Sequence, residues 1–183
     1  MNAEELGQHD EWRAGELLRH LARTDPDLFE QWYTNRLAEM RAGYLRTPRP
    51  RGSETLLALL PGAHRRRLAE LCAGRPRIGP SLLTHLVGAD TDLATALLDD
   101  GSVTPQDLLE SLLGQRGPIL EALTPVLYAR GVPAADLAAA ASGQVGWVAG
   151  SESGGHQTIL DYFQHLLEHD DPALRAVAEA GVQ

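Results

Sequence analysis

Trp147-Val148-Ala149-Gly150-Ser151-Glu152-Ser153 opens the last fifth of the chain, and an amphipathic segment carries it to Asp170-Asp171-Pro172-Ala173-Leu174-Arg175-Ala176-Val177-Ala178. The second stretch decides the fold class. An Asp-Pro turn fixes the backbone for entry into a helix, with the carboxylate placed to cap the amides that the first turn leaves open. A short Ala/Leu/Val helix then follows. Proteins made of stacked helices begin a repeat or close a stack in this way.

Working outward, the same punctuation recurs. Asp25-Pro26-Asp27-Leu28 and Asp90-Thr91-Asp92-Leu93 also start helices, 65 and 81 positions apart from one another and from Asp171. Those intervals fit two repeats apiece of about 40 residues. Helices are expected at Glu11–Arg23, with Ala14, Leu17, Leu18 and Leu21 on one face, and from Pro26 to about Leu45, with the stripe Phe29, Tyr33, Leu37, Met40, Tyr44. Leu56, Leu57, Leu59 and Leu60 make a short apolar helix, and His64–Ala73 another that buries Leu68, Leu71 and Cys72. Short helices follow over 81–87, 92–99, 105–113, 118–130, 133–141, 158–169 and 172–180, several of them stopped by glycine (Gly88, Gly101, Gly131). No segment alternates convincingly as a strand.

Trp147, Gly150 to Ser153, Ile159, Phe163, Leu166, Leu167, Asp171-Pro172, Arg175, Val177-Ala178 and Gly181 together resemble the closing module of bacterial HEAT-like helical repeat proteins. The resemblance covers the final fifth and extends plausibly back to Asp90. It implies a degenerate α-solenoid, or an irregular helical bundle, working as an interaction scaffold. No catalytic residue transfers from it, because that family's function lies in its surfaces. One all-α domain is expected over residues 1–183: an N-terminal helical hairpin (1–46), an Arg/Pro-rich segment (47–80) and a HEAT-like stack (81–183).

Composition narrows the chemistry. All 16 basic residues are arginine, so lysine-dependent phosphate loops, Schiff bases and Ser-x-x-Lys sites are excluded. Cys72 is the single cysteine, which forbids an intramolecular disulfide, favours a cytoplasmic address and reads best as a small buried hydrophobe. The first residues are acidic and lack an apolar signal core, and no apolar run approaches a membrane span. Lysine-free, Ala/Leu/Arg/Gly-rich composition suits a bacterial source.

Charge is segregated along the chain. Residues 36–77 hold ten arginines against three acids, whereas residues 78–183 hold three arginines against fourteen acids. Two Pro/Arg loops, Thr47 to Gly52 and Gly74 to Pro80, flank the helical segment 54–73. If that segment folds as a hairpin, Arg49, Arg51, Arg75 and Arg77 meet on one edge, and Arg65, Arg66 and Arg67 add to the patch if they face that edge. Guanidinium forks there would take a carboxylate or phosphate partner. Trp147 is the candidate aromatic anchor.

Other constellations are weaker. Asp161, His165 and His169 are spaced four apart, but they fall opposite the apolar stripe on what should be a wet face, so no metal is expected there. The glycine-rich stretch 143–155 matches neither a dinucleotide nor a nucleophile-elbow pattern. Trp12, Trp32 and Trp147 with a carboxylate could form the base pocket of a glycosylase, although Trp32 flanks an apolar stripe. The expected function is therefore non-enzymatic and cofactor-free: a scaffold, adaptor or immunity-type regulator that binds a protein with an acidic surface. The alternatives are nucleic-acid binding through residues 36–77, or a hydrolase or glycosylase with a nonstandard site.

Overall fold

The structure is a computed structural model and describes residues 3–41, 54–73, 79–113, 115, 117–143 and 154–182. Every regular element among the described residues is helical: ten α-helices and one 3₁₀ turn. The chain divides into two compact units, Met1–Leu71 and Cys72–Gln183.

The first unit holds α1 (Ala3–Thr24), α2 (Pro26–Arg41), the 3₁₀ turn Glu54–Leu59, and α3, which runs from Gly62 to Cys72 at the unit boundary. α1 and α2 are divided by Asp25 alone. Its carboxylate accepts the Leu28 amide at 3.1 Å. Pro26, which has no amide hydrogen to leave orphaned, takes the first helical position. Phe29, Tyr33 and Leu37 of the expected stripe are buried, at 0%, 5% and 3% exposure; the side chains of Met40 and Tyr44 lie outside the described set. The 3₁₀ turn packs on α1 and buries Leu56, Leu57 and Leu60 while Leu59 stays exposed. In α3 the covered face is Leu68, Ala69 and Cys72, and Leu71 is exposed. The expectation that Leu71 is buried is thus corrected. Leu68 and Cys72 stay covered while the arc shifts by roughly 50°, about half the step between successive residues, so that Ala69 takes the inward position in place of Leu71.

The second unit contains α4 (Gly79–Val87), α5 (Thr91–Asp99), α6 (Pro105–Ser111), α7 (Pro118–Tyr128), α8 (Ala134–Ser142), α9 (Gly154–Leu167) and α10 (Pro172–Gly181). Local chemistry explains three of these starts. Asp90 caps α5 through the Leu93 amide at 3.0 Å. Thr104 and Asp107 form a reciprocal capping box on α6. Asp171 accepts the Ala173 amide at 2.8 Å at the start of α10. The stops are equally local: Gly131 and Gly143 adopt φ of +83° and +68°, a region closed to most side chains, which lets the backbone turn back on its last carbonyls.

Within this unit α4 packs on α6, α5 on α7, α6 on α8, and α8 on α10; α4 with α5, α7 with α8, and α9 with α10 are sequential neighbours; and α10 also packs on α7, three helices back. Leu97, Leu108, Leu112, Leu120, Leu127, Leu137, Phe163, Leu166 and Val177 are all fully buried or within 1% of it. Each such side chain stabilises the fold by about 1.5–3 kcal/mol relative to exposure. Polar atoms reinforce two contacts: the Thr84 hydroxyl of α4 donates to the Ser111 carbonyl of α6, and the Tyr162 hydroxyl of α9 accepts the Gly117 amide at the start of α7. α7 runs through Pro125. Proline cannot supply an amide to the Glu121 carbonyl, yet its own carbonyl accepts from Ala129 at 3.0 Å, so the helix continues past it.

Candidate functional site

The arginine edge expected from sequence lies mostly outside the described residues, which exclude Arg49, Arg51, Arg75 and Arg77; Trp147 is likewise outside them. Arg65 and Arg66 sit half-buried on α3. Arg66 pairs with Glu70 one turn on, at 3.2 Å, an (i, i+4) bridge on the helix surface.

The most concentrated polar chemistry among the described residues lies beside this pair, between α2 and α3 of the first unit. Asp27 and Glu30 are three apart in the first turns of α2, so they share a face. His64 and Arg67 have the same spacing in α3. The Arg67 guanidinium straddles the Glu30 carboxylate, with Nε donating to Oε1 at 2.8 Å and Nη2 to Oε2 at 2.6 Å. This is the bidentate fork that makes arginine–carboxylate pairs geometrically specific. His64 Nδ1 lies 2.6 Å from Glu30 Oε2 and 2.9 Å from Arg67 Nη2. It donates to the carboxylate when that nitrogen carries a proton, and accepts from the guanidinium when it does not. Asp27 Oδ1 is 3.8 Å from His64 Nδ1 and 4.0 Å from Arg67 Nη2.

Exposure is graded across the cluster. The side chains of His64 and Glu30 are only 12% and 16% exposed, Arg67 is 49% exposed, and Asp27 is 87% exposed. The inner pair is therefore shielded, and the outer pair opens to solvent. The hydrogen bonds from Arg67 hold the Glu30 carboxyl below its ordinary value, helped by His64 and opposed by burial. Glu30 in turn holds the Arg67 guanidinium more firmly protonated.

Sequence reasoning passed over this cluster. Its only local signals are two pairs, Asp27 with Glu30 and His64 with Arg67, each spaced by three. Nothing local shows that they meet across 34 residues.

The other expected constellations behave as surface or core. Asp161 and His165 are exposed on α9, while His169 lies past the end of that helix, where its Nδ1 accepts the Asp171 amide at 3.0 Å. Trp32 packs with Phe29 and Tyr33, at centroid distances of 5.8 Å to each, as part of the α2 aromatic cluster. In the second unit, Ala138, Ser142, Ile159, Leu160, Phe163 and Val182 line an open groove of mixed polarity, about 410 Å³, between α8, α9 and α10.

Among the described residues no helix is long and apolar enough to cross a membrane. Compared with protein-family models, with curated proteins and with solved structures, the chain has no significant match.

Proposed function

We propose that the chain is a non-enzymatic protein-interaction module, built as a degenerate HEAT-like α-solenoid and acting as a scaffold, adaptor or regulator. The observation that carries this reading is the set of contacts between a helix and the second one along the chain in the second unit, α4 with α6, α5 with α7, α6 with α8 and α8 with α10, beside the sequential pairs and the α7–α10 contact. Stacked helical hairpins produce such contacts, since equivalent helices of consecutive hairpins lie side by side. Such a stack exposes one helix face per repeat and so presents an extended surface.

The surface has a definite sign. Asp92, Asp99, Asp100, Asp136, Asp161, Glu168, Asp170 and Glu179 are exposed on the second unit. Arg130 reaches Asp99 at 2.6 Å, and Arg175 spends its guanidinium on the His169 and Asp170 carbonyls. In the first unit, Arg66 and Arg67 are engaged by Glu70 and Glu30. The acidic half is therefore the leading docking surface, and its partner is a protein with a basic face, drawn in by complementary potential. The arginine loops, with Arg49, Arg51, Arg75 and Arg77, are the competing surface.

Affinity capture from nuclease-treated lysate distinguishes them. Three baits are needed: wild type, a variant with those four arginines changed to serine, and a variant carrying D92N, D136N, D161N and E168Q. A protein held by wild type and the arginine variant but lost by the acid variant supports the reading. Loss only in the arginine variant transfers the site to the Pro/Arg loops. Recovery of nucleic acid alone, and only without nuclease, would overturn the proposal in favour of nucleic-acid binding.

A further inference from the structure

We infer that Asp27, Glu30 and His64 form a binding site for a divalent transition cation of the zinc class, and that Arg67 is the internal cation such an ion displaces. The three residues offer two carboxylate oxygens and one imidazole nitrogen, all within 4.8 Å of one another. Around an ion with bonds of about 2.0–2.2 Å, neighbouring ligand atoms lie roughly 3–4 Å apart. Here His64 Nδ1 is 2.6 Å from Glu30 and 3.8 Å from Asp27, so adjustments of about an ångström or less, within reach of side-chain torsions, close the set.

Charge favours the exchange. With His64 as a neutral ligand and Arg67 displaced, the two carboxylates of Asp27 and Glu30 balance the charge of a dication. Geometry favours it too. Glu30 Oε2 and His64 Nδ1 both approach a single nitrogen, Arg67 Nη2, at 2.6 Å and 2.9 Å, while lying only 2.6 Å from each other. An ion in place of that nitrogen, with Nδ1 deprotonated, would draw the carboxylate and imidazole lone pairs to one centre.

Access is provided from outside. Arg67 is half-exposed and Asp27 almost fully so, so the guanidinium can swing into water as the ion enters past Asp27. The better-shielded His64 and Glu30 form the floor. Three protein ligands leave a fourth position for water, the arrangement of an open zinc site. Carboxylate and imidazole donors suit zinc, and manganese more weakly.

The test is titration of chelator-stripped full-length protein with Zn²⁺, read by competition with a chelating dye. Co²⁺ is used in parallel to report ligand geometry by its visible absorption. The same titrations are run on H64Q, E30Q and R67Q, with helix content checked by circular dichroism. Wild type should bind one ion that H64Q and E30Q each weaken by about tenfold or more, and R67Q should bind more tightly than wild type. Absence of binding by wild type, or equal binding by wild type and H64Q, overturns the proposal. Should either ligand variant lose its helix content, R67Q decides: affinity equal to or weaker than wild type rejects displacement of Arg67 by the ion.

Discussion

Thr124 shows how a single buried atom can set stability. It is fully buried in α7, and among the described residues its hydroxyl has no hydrogen-bond partner. A buried donor and acceptor left unmade costs about 1–3 kcal/mol. T124V keeps the branched shape and removes the polar atom, so it should stabilise the protein by about 1 kcal/mol. Urea denaturation checks this, and an unchanged or lower midpoint contradicts it. Glu30 gives a second residue-scale prediction, with a sign set by linkage. Its carboxyl is held low in the folded state, so the unfolded chain takes up the proton first as pH falls. The stabilisation is present above the unfolded carboxyl's ordinary range and is lost as pH drops through the lowered folded value. The difference in urea midpoint between wild type and E30Q should therefore hold steady near neutrality and close on the acid side. A gap independent of pH would refute the assignment.

At the scale of the element, what could be read from sequence was what is local. Asp25, Asp90 and Asp171 cap the helices they were expected to start, because a cap needs only a side-chain oxygen and amides two or three residues away. Gly88, Gly101 and Gly131 stop theirs with positive φ. The wet face of α9 was legible from period alone: Asp161 and His165 are exposed there, and Glu168 just past its end. Leu71, 37% exposed, was expected inside and is not, since the covered arc of a helix depends on neighbours that the pattern does not name. The cluster of Glu30, His64 and Arg67 was missed for the same reason: its members meet through packing of α2 and α3. Local caps predict local costs. D171A should destabilise α10 by about 1 kcal/mol, with D171S recovering most of that loss. The readout is the thermal midpoint, and equal destabilisation by alanine and serine would exclude the capping account.

The close approach of α9 and α10 makes a sharper element-scale prediction. A Cβ on Gly181 would come within 2.5 Å of the Phe163 ring, and that ring is 1% exposed, so it has little room to retreat. G181A should destabilise by about 1–3 kcal/mol through overpacking, measured by chemical denaturation. A neutral effect would mean that the last turn of α10 gives way instead.

For the molecule as a whole, the proposed interaction module rests on the all-helical described residues, the contacts between alternate helices in the second unit and its exposed acidic side chains. The sequence made the helical class and the charge segregation legible, because composition and periodicity report them directly. Which arginines are consumed internally was not legible, since Arg67 meets Glu30 only after folding. The central claim is that complementary charge recruits a basic protein to the acidic half. The most direct measurement is the dissociation constant of the captured complex across a salt series, for wild type and for the variant lacking Asp92, Asp136, Asp161 and Glu168 carboxylates. The account predicts that wild-type affinity falls steadily as salt shortens the screening length, and that the variant binds weakly with a flatter dependence. Equal affinity for both proteins at every salt concentration would contradict it.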